Sequence, residues 1–145
     1  IYRARLGNMI AVCDILKVSD DDLDWIIPGD SSIADKAARM MAQGPKLVIV
    51  TKGGDGASAY LANGESVEAS ARRVTVVDTV GAGDTFNAGV LTKLSALGCL
   101  TKQGIQELGA DDALAALRLG AEVASITVSR AGANPPLLSE LSGGI

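Results

Sequence analysis

Histidine is absent from all 145 residues of the chain. Without an imidazole side chain, neither a Ser-His-Asp triad nor a Cys-His pair can be assembled, and the commonest zinc ligand is missing. The absence therefore excludes the hydrolases that depend on histidine and most of the chemistry that proteins perform with zinc.

Aromatic and basic residues are also scarce. Phe, Trp and Tyr make up 3% of the chain, which favours closely packed helices on a sheet over an aromatic-rich β-sandwich. The net charge is −4 and Lys and Arg form no cluster, so a nucleic-acid partner is not expected. The two cysteines, Cys13 and Cys99, stand alone among apolar or small residues. This favours free, buried thiols in the reducing cytoplasm over a disulfide.

Long apolar runs are missing too. None reaches the roughly 18 residues of a membrane-spanning helix, so no membrane partner is expected. No signal peptide is visible at the start. The chain opens with Ile1 inside a run of helical spacing, so we expect a fragment that lacks an upstream portion. With 48% hydrophobic residues, the chain has enough apolar material for the core of one domain.

Helical and strand patterns alternate along the chain. Helices are predicted for residues 1–11, after Ser19, from Ser31 or Ser32 to about Gln43, for 83–97, and for 111–128 as one helix or a pair. Strands are predicted for residues 12–18, 46–51, 57–61, 66–69 and 72–77, with Asn63-Gly64 as a hairpin turn. This alternation indicates an α/β sheet with helices on both faces.

The segment Asp78-Thr79-Val80-Gly81-Ala82-Gly83-Asp84-Thr85-Phe86 is the most informative part of the sequence. It joins an apolar, β-branched run to a helical pattern, and Gly81, Ala82 and Gly83 allow a ligand to approach the backbone closely. The predicted helix N-terminus offers N–H groups to a phosphate, and Asp84 offers a carboxylate to an attacking hydroxyl. The segment therefore indicates phosphoryl transfer. The alternative is a plain helix start with an acidic residue.

Three further segments have weaker functional patterns. The glycine-rich turn Thr51–Gly56 follows a predicted buried strand, at the sheet edge where α/β proteins bind nucleotides, although a plain turn fits equally well. Asp20, Asp21 and Asp22 could hold Mg²⁺ through water, but their spacing alone favours helix capping. The carbonyls of loop 127–136, with Asp78, could cage a monovalent cation. No P-loop motif is present, and no GxGxxG opens a helix after a strand, which excludes P-loop and dehydrogenase nucleotide sites.

At these residues the chain resembles the ribokinase family of carbohydrate kinases, also called the PfkB family. Residues 78–86 match the family pattern D-T-x-G-A-G-D-x-F at every fixed position. LKVSDDDL, VTKGGDGA, DTVGAGDTFNAG and TVSRAGANPP stand in the family's order, and the first and last look most like bacterial fructokinases. The resemblance implies a three-layer α/β sandwich with a mostly parallel sheet. It also implies transfer of the ATP γ-phosphoryl group to a sugar hydroxymethyl, most of all that of fructose.

The resemblance also implies roles for individual residues. Asp84 would be the catalytic base that contacts the sugar, and the N–H groups of Gly81, Ala82, Gly83 and Asp84 would form an anion hole. The nucleotide site would comprise Ser19, Thr51, Lys52, Gly53, Gly54, Asp55, Gly56, Gly83 and Ala121. Mg²⁺ would be linked to Asp22, and K⁺ would be held by Asp78 with the carbonyls of Val80, Thr127, Arg130 and Gly132. Four positions differ from the residues seen in many family members: Ser19, Asp22, Ala121 and Pro136. These differences affect the expected contacts with adenine and the cations, and they leave the expected reaction unchanged.

Family members are about twice as long as this chain. The resemblance therefore implies that residues 1–145 are the C-terminal, ATP-binding and catalytic part of one ribokinase-like domain. Most sugar contacts would lie in the missing half, as would the lid through which family members often form homodimers. Alone, the chain is expected to lack kinase activity and to fold poorly, because a divided sheet exposes an edge. The alternatives are a kinase for 2-keto-3-deoxygluconate, ribose, a sugar phosphate or a nucleoside, or a nucleotide-binding module without catalysis.

Overall fold

The computed structural model describes all 145 residues and contains one four-stranded sheet. The strands are β1 (Ile15–Ser19), β2 (Leu47–Thr51), β3 (Ala57–Leu61) and β4 (Ser66–Ala69), in that spatial order. β1 and β2 are parallel, whereas β2–β3 and β3–β4 are antiparallel. The α/β class is thus confirmed with a mixed sheet. Only one of the three pairings is parallel, because the short connections that follow β2 and β3 can join only antiparallel strands.

Six helices surround the sheet. They are α1 (Tyr2–Val12), α2 (Asp20–Ile26), α3 (Ile33–Met41), α4 (Ala82–Ala96), α5 (Lys102–Gln106) and α6 (Ala110–Val128). Two of the predicted N-caps are confirmed, since Ser19 and Ser32 each accept a hydrogen bond from the N–H three residues later, at 3.1 Å. α6 is one helix rather than a pair. None of the six helices combines the length and the apolar character needed to cross a bilayer.

The side chains of β2 alternate between two separate hydrophobic cores. Leu47 and Ile49 pack with residues of α4, α5 and α6 on one face of the sheet. Val48 and Val50 pack with residues of α1, α2 and α3 on the other face. All four side chains are at least 98% buried, as expected for a strand covered on both sides. The molecule is therefore the three-layer sandwich that the resemblance implies.

α4 and α6 cross at two glycines. A Cβ added to Gly89 would lie 2.8 Å from the Gly120 Cα, and a Cβ added to Gly120 would lie 2.8 Å from Cγ2 of Val90. Real Cβ atoms essentially never show contacts this short, so the two backbones approach closely only because both side chains are missing. This crossing sets the position of α4, whose N-terminus carries the DTVGAGDTF segment.

Two secondary-structure predictions fail, and one helix was missed. Residues 72–77 do not form a strand, since they pair with none of the four strands of the sheet. The run makes one backbone hydrogen bond, from the Val77 N–H to the Val128 carbonyl at 2.7 Å. β1 begins three residues later than predicted, since Val12 still belongs to α1. The short helix α5 was not predicted; it is capped by Thr101, whose hydroxyl accepts the Gly104 N–H. Both cysteines are free, as predicted, and they are half-buried.

Candidate active site

Three segments of the chain meet at one edge of the sheet. Ser19 and Thr51, the last residues of the parallel strands β1 and β2, are paired in register. The N-terminus of α4 lies beside them, since the Lys17 Nζ is 3.4 Å from the position that a Cβ on Gly83 would occupy. The carboxyl ends of two parallel strands and a helix N-terminus therefore share one region, which is where α/β proteins bind ligands.

A cavity of about 720 Å³ opens at this edge. Its walls are the turn after β2, the segment 71–76, the start of α4 and the second half of α6. Six of the nine residues predicted for the nucleotide site line it: Thr51, Gly53, Gly54, Gly56, Gly83 and Ala121. This volume is within the range of small-molecule and cofactor sites.

Lys52 and Asp55 belong to the same turn but do not line the cavity. The Lys52 Nζ pairs with Glu68 on β4 at 2.7 Å, and the Ser58 hydroxyl donates to the same carboxylate oxygen at 2.7 Å. The hydrogen bond from Lys52, followed by that from Ser58, lowers the pKa of Glu68. Asp55 is exposed to solvent. In this structure Lys52 therefore anchors the turn to the sheet, and the glycines form the cavity wall.

The N-terminus of α4 has unpaired backbone donors. Gly81 turns the chain into the helix with φ of +79°, a conformation that favours glycine. The N–H groups of Gly81, Gly83 and Asp84 donate to no acceptor in the protein. The Ala82 N–H, also predicted to belong to the anion hole, instead donates to the Thr79 carbonyl at 3.3 Å. Three free donors at the positive end of a helix dipole are an arrangement that can bind an anion.

The Asp84 carboxylate lies in the first turn of α4 and is exposed to solvent. It makes none of the side-chain hydrogen bonds or ion pairs of the chain, in contrast to Asp14, Asp22, Asp24, Asp35 and Asp78. A free carboxylate beside an anion-binding helix N-terminus can accept a proton from a hydroxyl that attacks a phosphoryl group.

Ser19 and Asp22 cap α2 reciprocally. The Ser19 Oγ accepts the Asp22 N–H at 3.1 Å and donates to Oδ2 of Asp22 at 2.8 Å. No group of three or more acidic, His or Cys residues in the chain is arranged to hold a metal ion. Mg²⁺ in phosphoryl-transfer sites is commonly held by one or two carboxylates together with water and the substrate phosphates. A single carboxylate at this edge, with one oxygen free, fits that mode of binding.

Asp78 joins two loops that are 54 residues apart in sequence. Its carboxylate accepts the Val80 N–H at 3.0 Å and the Gly132 N–H at 2.9 Å. These two hydrogen bonds, that from Val80 first, lower the pKa of Asp78. The structure thus brings Asp78 together with loop 127–136, as the sequence predicts. Each carboxylate oxygen of Asp78 has a second lone pair that these hydrogen bonds do not use. Asp78 and the neighbouring carbonyls therefore fit the binding of a monovalent cation.

The sequence analysis did not assign Lys17 or residues 71–76 to the site, although Lys17, Arg72, Arg73 and Val74 all line the cavity. Arg72 also pairs with Glu122 at 3.1 Å. Burial raises the pKa of this glutamate, but two hydrogen bonds from Ser142 and the charge of Arg72 outweigh burial and lower it. Two successive arginines are uncommon in a buried strand, and this was the only sequence signal against the predicted strand.

Comparison with known proteins identifies the family of the chain. The sequence profile described as "pfkB family carbohydrate kinase" matches residues 2–140. The chain belongs to this family. It is 47% identical over 108 residues to a fructokinase of Rhizobium leguminosarum bv. trifolii. The aligned residues cover 74% of this chain and 32% of that protein.

Solved structures of the family share the fold. The crystal structure of fructokinase with bound ATP from Xylella fastidiosa has a TM-score of 0.80 at 25% identity, and the match covers 92% of this chain and 42% of that one. The second structure is that of the aminoimidazole riboside kinase of Salmonella enterica, complexed with aminoimidazole riboside and an ATP analogue. It has a TM-score of 0.73 at 29% identity, and the match covers 91% of this chain and 41% of that one. The chain thus spans about a third of the Rhizobium fructokinase and about two fifths of the two crystallised chains.

Proposed function

We propose that this chain is the ATP-binding and phosphoryl-transferring part of a sugar kinase. The observation that carries the proposal is the N-terminus of α4, which has three unpaired N–H groups and the free Asp84 carboxylate. Ala82 and Gly83 of this N-terminus line the cavity of about 720 Å³. Phosphoryl transfer requires such donors for the transferring group and a proton acceptor for the attacking hydroxyl, with little covalent chemistry by the protein.

In this mechanism the cavity binds ATP with its triphosphate directed at α4. The free N–H groups of Gly81, Gly83 and Asp84 donate to the oxygens of the γ-phosphoryl group. A sugar hydroxyl, oriented by Asp84, attacks the γ-phosphorus. The new O–P bond forms as the bond to the β-phosphate oxygen breaks, the proton of the hydroxyl passes to Asp84, and ADP leaves with the bridging oxygen. Since the donors are already in place, little reorganisation accompanies the transfer of charge.

Two cations complete this proposal. Asp22, next to Ser19 at the carboxyl edge of the sheet, would be linked to Mg²⁺. When bound, Mg²⁺ neutralises phosphate charge. Asp78 would hold K⁺ with the carbonyls of Val80, Thr127, Arg130 and Gly132. The hydrogen bond between Asp78 and Gly132 supports this assignment, because it holds these loops next to the start of α4. We place Lys52 and Asp55 at the margin of the nucleotide site rather than in its wall.

We infer that residues 1–145 belong to one larger ribokinase-like domain. This chain matches about two fifths of each crystallised relative while containing the anion-binding helix and most of the proposed nucleotide cavity. The residues that select the sugar, and the lid, would then lie in the remaining part. Fructose is the substrate we favour, because the 47% identity to the Rhizobium fructokinase over 108 residues exceeds the 37% identity to the aminoimidazole riboside kinase of Salmonella typhimurium over 123 residues.

The test is ADP release by the protein expressed from the complete reading frame that contains these residues. Mg-ATP and K⁺ are supplied with fructose, ribose, 2-keto-3-deoxygluconate, adenosine or aminoimidazole riboside in separate reactions. We expect ADP with fructose and little with the others. A strong preference for another acceptor would refute fructose but retain the kinase. A folded protein that binds ATP without turnover on any acceptor would favour a nucleotide-binding module.

Asp84→Asn separates the proposed base from the rest of the site. The amide keeps the size and the α4 N-terminus but cannot accept the proton, so kcat should fall by about 10²–10⁴-fold while the Kd for ATP changes little. Asp111→Asn is a matched control, because Asp111 is also in the first turn of a helix, is exposed, and lies on α6 outside the cavity lining. Equal turnover in Asp84→Asn and wild type would exclude Asp84 as the base.

A further inference from the structure

Lys17 lies at the centre of the proposed active site. It is the third residue of β1, two residues before the end of the strand, and its side chain is half-buried. Its Nζ is 3.4 Å from the position of a Cβ on Gly83, so the ammonium group faces the first turn of α4. It lines the large cavity together with Thr51, Gly53 and Gly83.

The ammonium group of Lys17 has no partner in the protein. The five ion pairs of the chain use Lys36, Lys52, Arg72, Lys102 and Arg130. Lys17 also donates none of the side-chain hydrogen bonds, although three other lysines do. Lys17 also lines a second, mostly apolar groove that includes Ile15 and Val90. Its charged end is left without a partner near the helix N-terminus.

This position is electrostatically unfavourable for a cation when no ligand is bound. The N-terminus of a helix carries a partial positive charge, and its free N–H groups repel an ammonium group rather than bind it. An anion between the two changes the sign of the interaction, since it accepts hydrogen bonds from both. The Lys17 Nζ thus lies next to the first turn of α4, whose free N–H groups could donate to the same anion.

We propose that Lys17 is a catalytic residue that donates a hydrogen bond from its Nζ to an oxygen of the ATP triphosphate held at the N-terminus of α4. This rests on the proposed function, because the bound anion is the phosphate of the nucleotide. The Lys17 ammonium adds a positive charge to the free N–H groups at the start of α4. A Cβ at position 83 would lie 3.4 Å from the Lys17 Nζ, so the ammonium group is next to the backbone of the first turn of α4.

The experiment compares binding of Mg-ATP and of adenosine by calorimetry, with the protein from the complete reading frame. Lys17→Met keeps the apolar stem and removes the charge, whereas Lys17→Arg retains the charge. Lys46→Met is the control, because Lys46 is exposed, makes no ion pair and precedes β2 at the opposite edge of the sheet. Adenosine reports on the cavity without the phosphates.

The expected result is that Lys17→Met raises the Kd for Mg-ATP by about tenfold or more, as for the loss of a hydrogen bond to a charged group. The Kd for adenosine should stay within about twofold of wild type. Lys17→Arg should retain most of the affinity for Mg-ATP, and Lys46→Met should change neither constant. The kcat of Lys17→Met should also fall if the contact is to the transferring group.

The proposal is overturned if Lys17→Met binds Mg-ATP as wild type does, and the proposed nucleotide site then stands without Lys17. It is also overturned if Lys17→Met loses affinity for both ligands equally, since the lysine would then support the cavity rather than the phosphate. Failure of the wild-type protein to bind Mg-ATP would instead refute the proposed function itself, and the inference about Lys17 with it.

Discussion

Replacing Gly89 with alanine tests the close crossing of α4 and α6 that positions the candidate active site. The added Cβ would lie 2.8 Å from the Gly120 Cα, 3.0 Å from the Gly120 nitrogen and 3.0 Å from the Leu119 carbonyl oxygen. All three are backbone atoms of a helix, so no flexible side chain can move aside. To reach an ordinary contact of 3.4 Å, the two helices must separate by about 0.6 Å.

Two opposing effects determine how much Gly89→Ala changes the free energy of unfolding. Overpacking a core costs about 1–3 kcal/mol, whereas alanine in place of glycine within a helix gains up to about 1 kcal/mol. Because the clashing atoms are all backbone, the cost belongs to the upper part of its range, about 2–3 kcal/mol. We therefore expect a net loss of about 1–2 kcal/mol in the free energy of unfolding, which lowers Tm by about 2–8 °C. The free N–H of Asp84 and its carboxylate lie on the same helix, about 7–8 Å from Gly89 along its axis. The displacement should therefore also lower kcat.

Thermal unfolding of Gly89→Ala, followed by circular dichroism, measures this loss. Gly7→Ala is the matched control, since Gly7 lies inside α1 and a Cβ there would have no atom within 4 Å. The same substitution should raise Tm at Gly7 and lower it at Gly89. If both variants were stabilised equally, the α4–α6 contact would be loose enough to absorb a methyl group, and the account of how α4 is positioned would be wrong.

Two further substitutions address the turn into α4 and the buried carboxylate behind the cavity. Gly81→Ala should lower Tm and weaken ATP binding, because Gly81 has φ of +79° and an added Cβ would lie 3.1 Å from the Cβ of Ala133; unchanged ATP affinity would contradict the role of this turn. Glu122→Gln should be less stable than wild type at pH 7, by about 1–3 kcal/mol, because the buried carboxylate loses its charge-assisted bonds to Arg72 and Ser142. Since the pKa of Glu122 is lowered in the folded protein, its ionised form stabilises the fold above its ordinary value of 4.5, and this stabilisation disappears as the pH falls through the lowered pKa. The difference in Tm between the two proteins should therefore shrink from pH 7 toward pH 3, and a difference that stayed constant would show that the charge of Glu122 does not matter.

Local chemistry made much of the fold predictable. The caps at Ser19 and Ser32, the hairpin turn Asn63-Gly64 and the end of α4 before Gly98 each depend on residues within a few positions of one another. The continuous apolar run of β2 likewise identifies a strand covered on both faces, because its composition reflects its own burial. The DTVGAGDTF segment is predictable for the same reason, since glycines, helix start and carboxylate are contiguous.

What failed or was missed depends on partners that are distant in sequence. Residues 72–77 have the composition of a strand, but a strand exists only where its backbone pairs with another strand, and this segment pairs with none. The ammonium of Lys17 meets the first turn of α4 across 66 positions of sequence, although neither segment alone indicates the other.

By itself, the sequence determined the alternation of elements, the helix N-terminus that can hold a phosphate and the carboxylate beside it. Their relative positions were decided only by the tertiary structure. The Gly89–Gly120 crossing aligns α4, Asp78 draws loop 127–136 to its start, and Lys17 reaches it from β1. These contacts join residues that are far apart in the sequence, so they leave no repeating pattern in it. Packing and hydrogen bonding depend on distance in space rather than on distance in sequence.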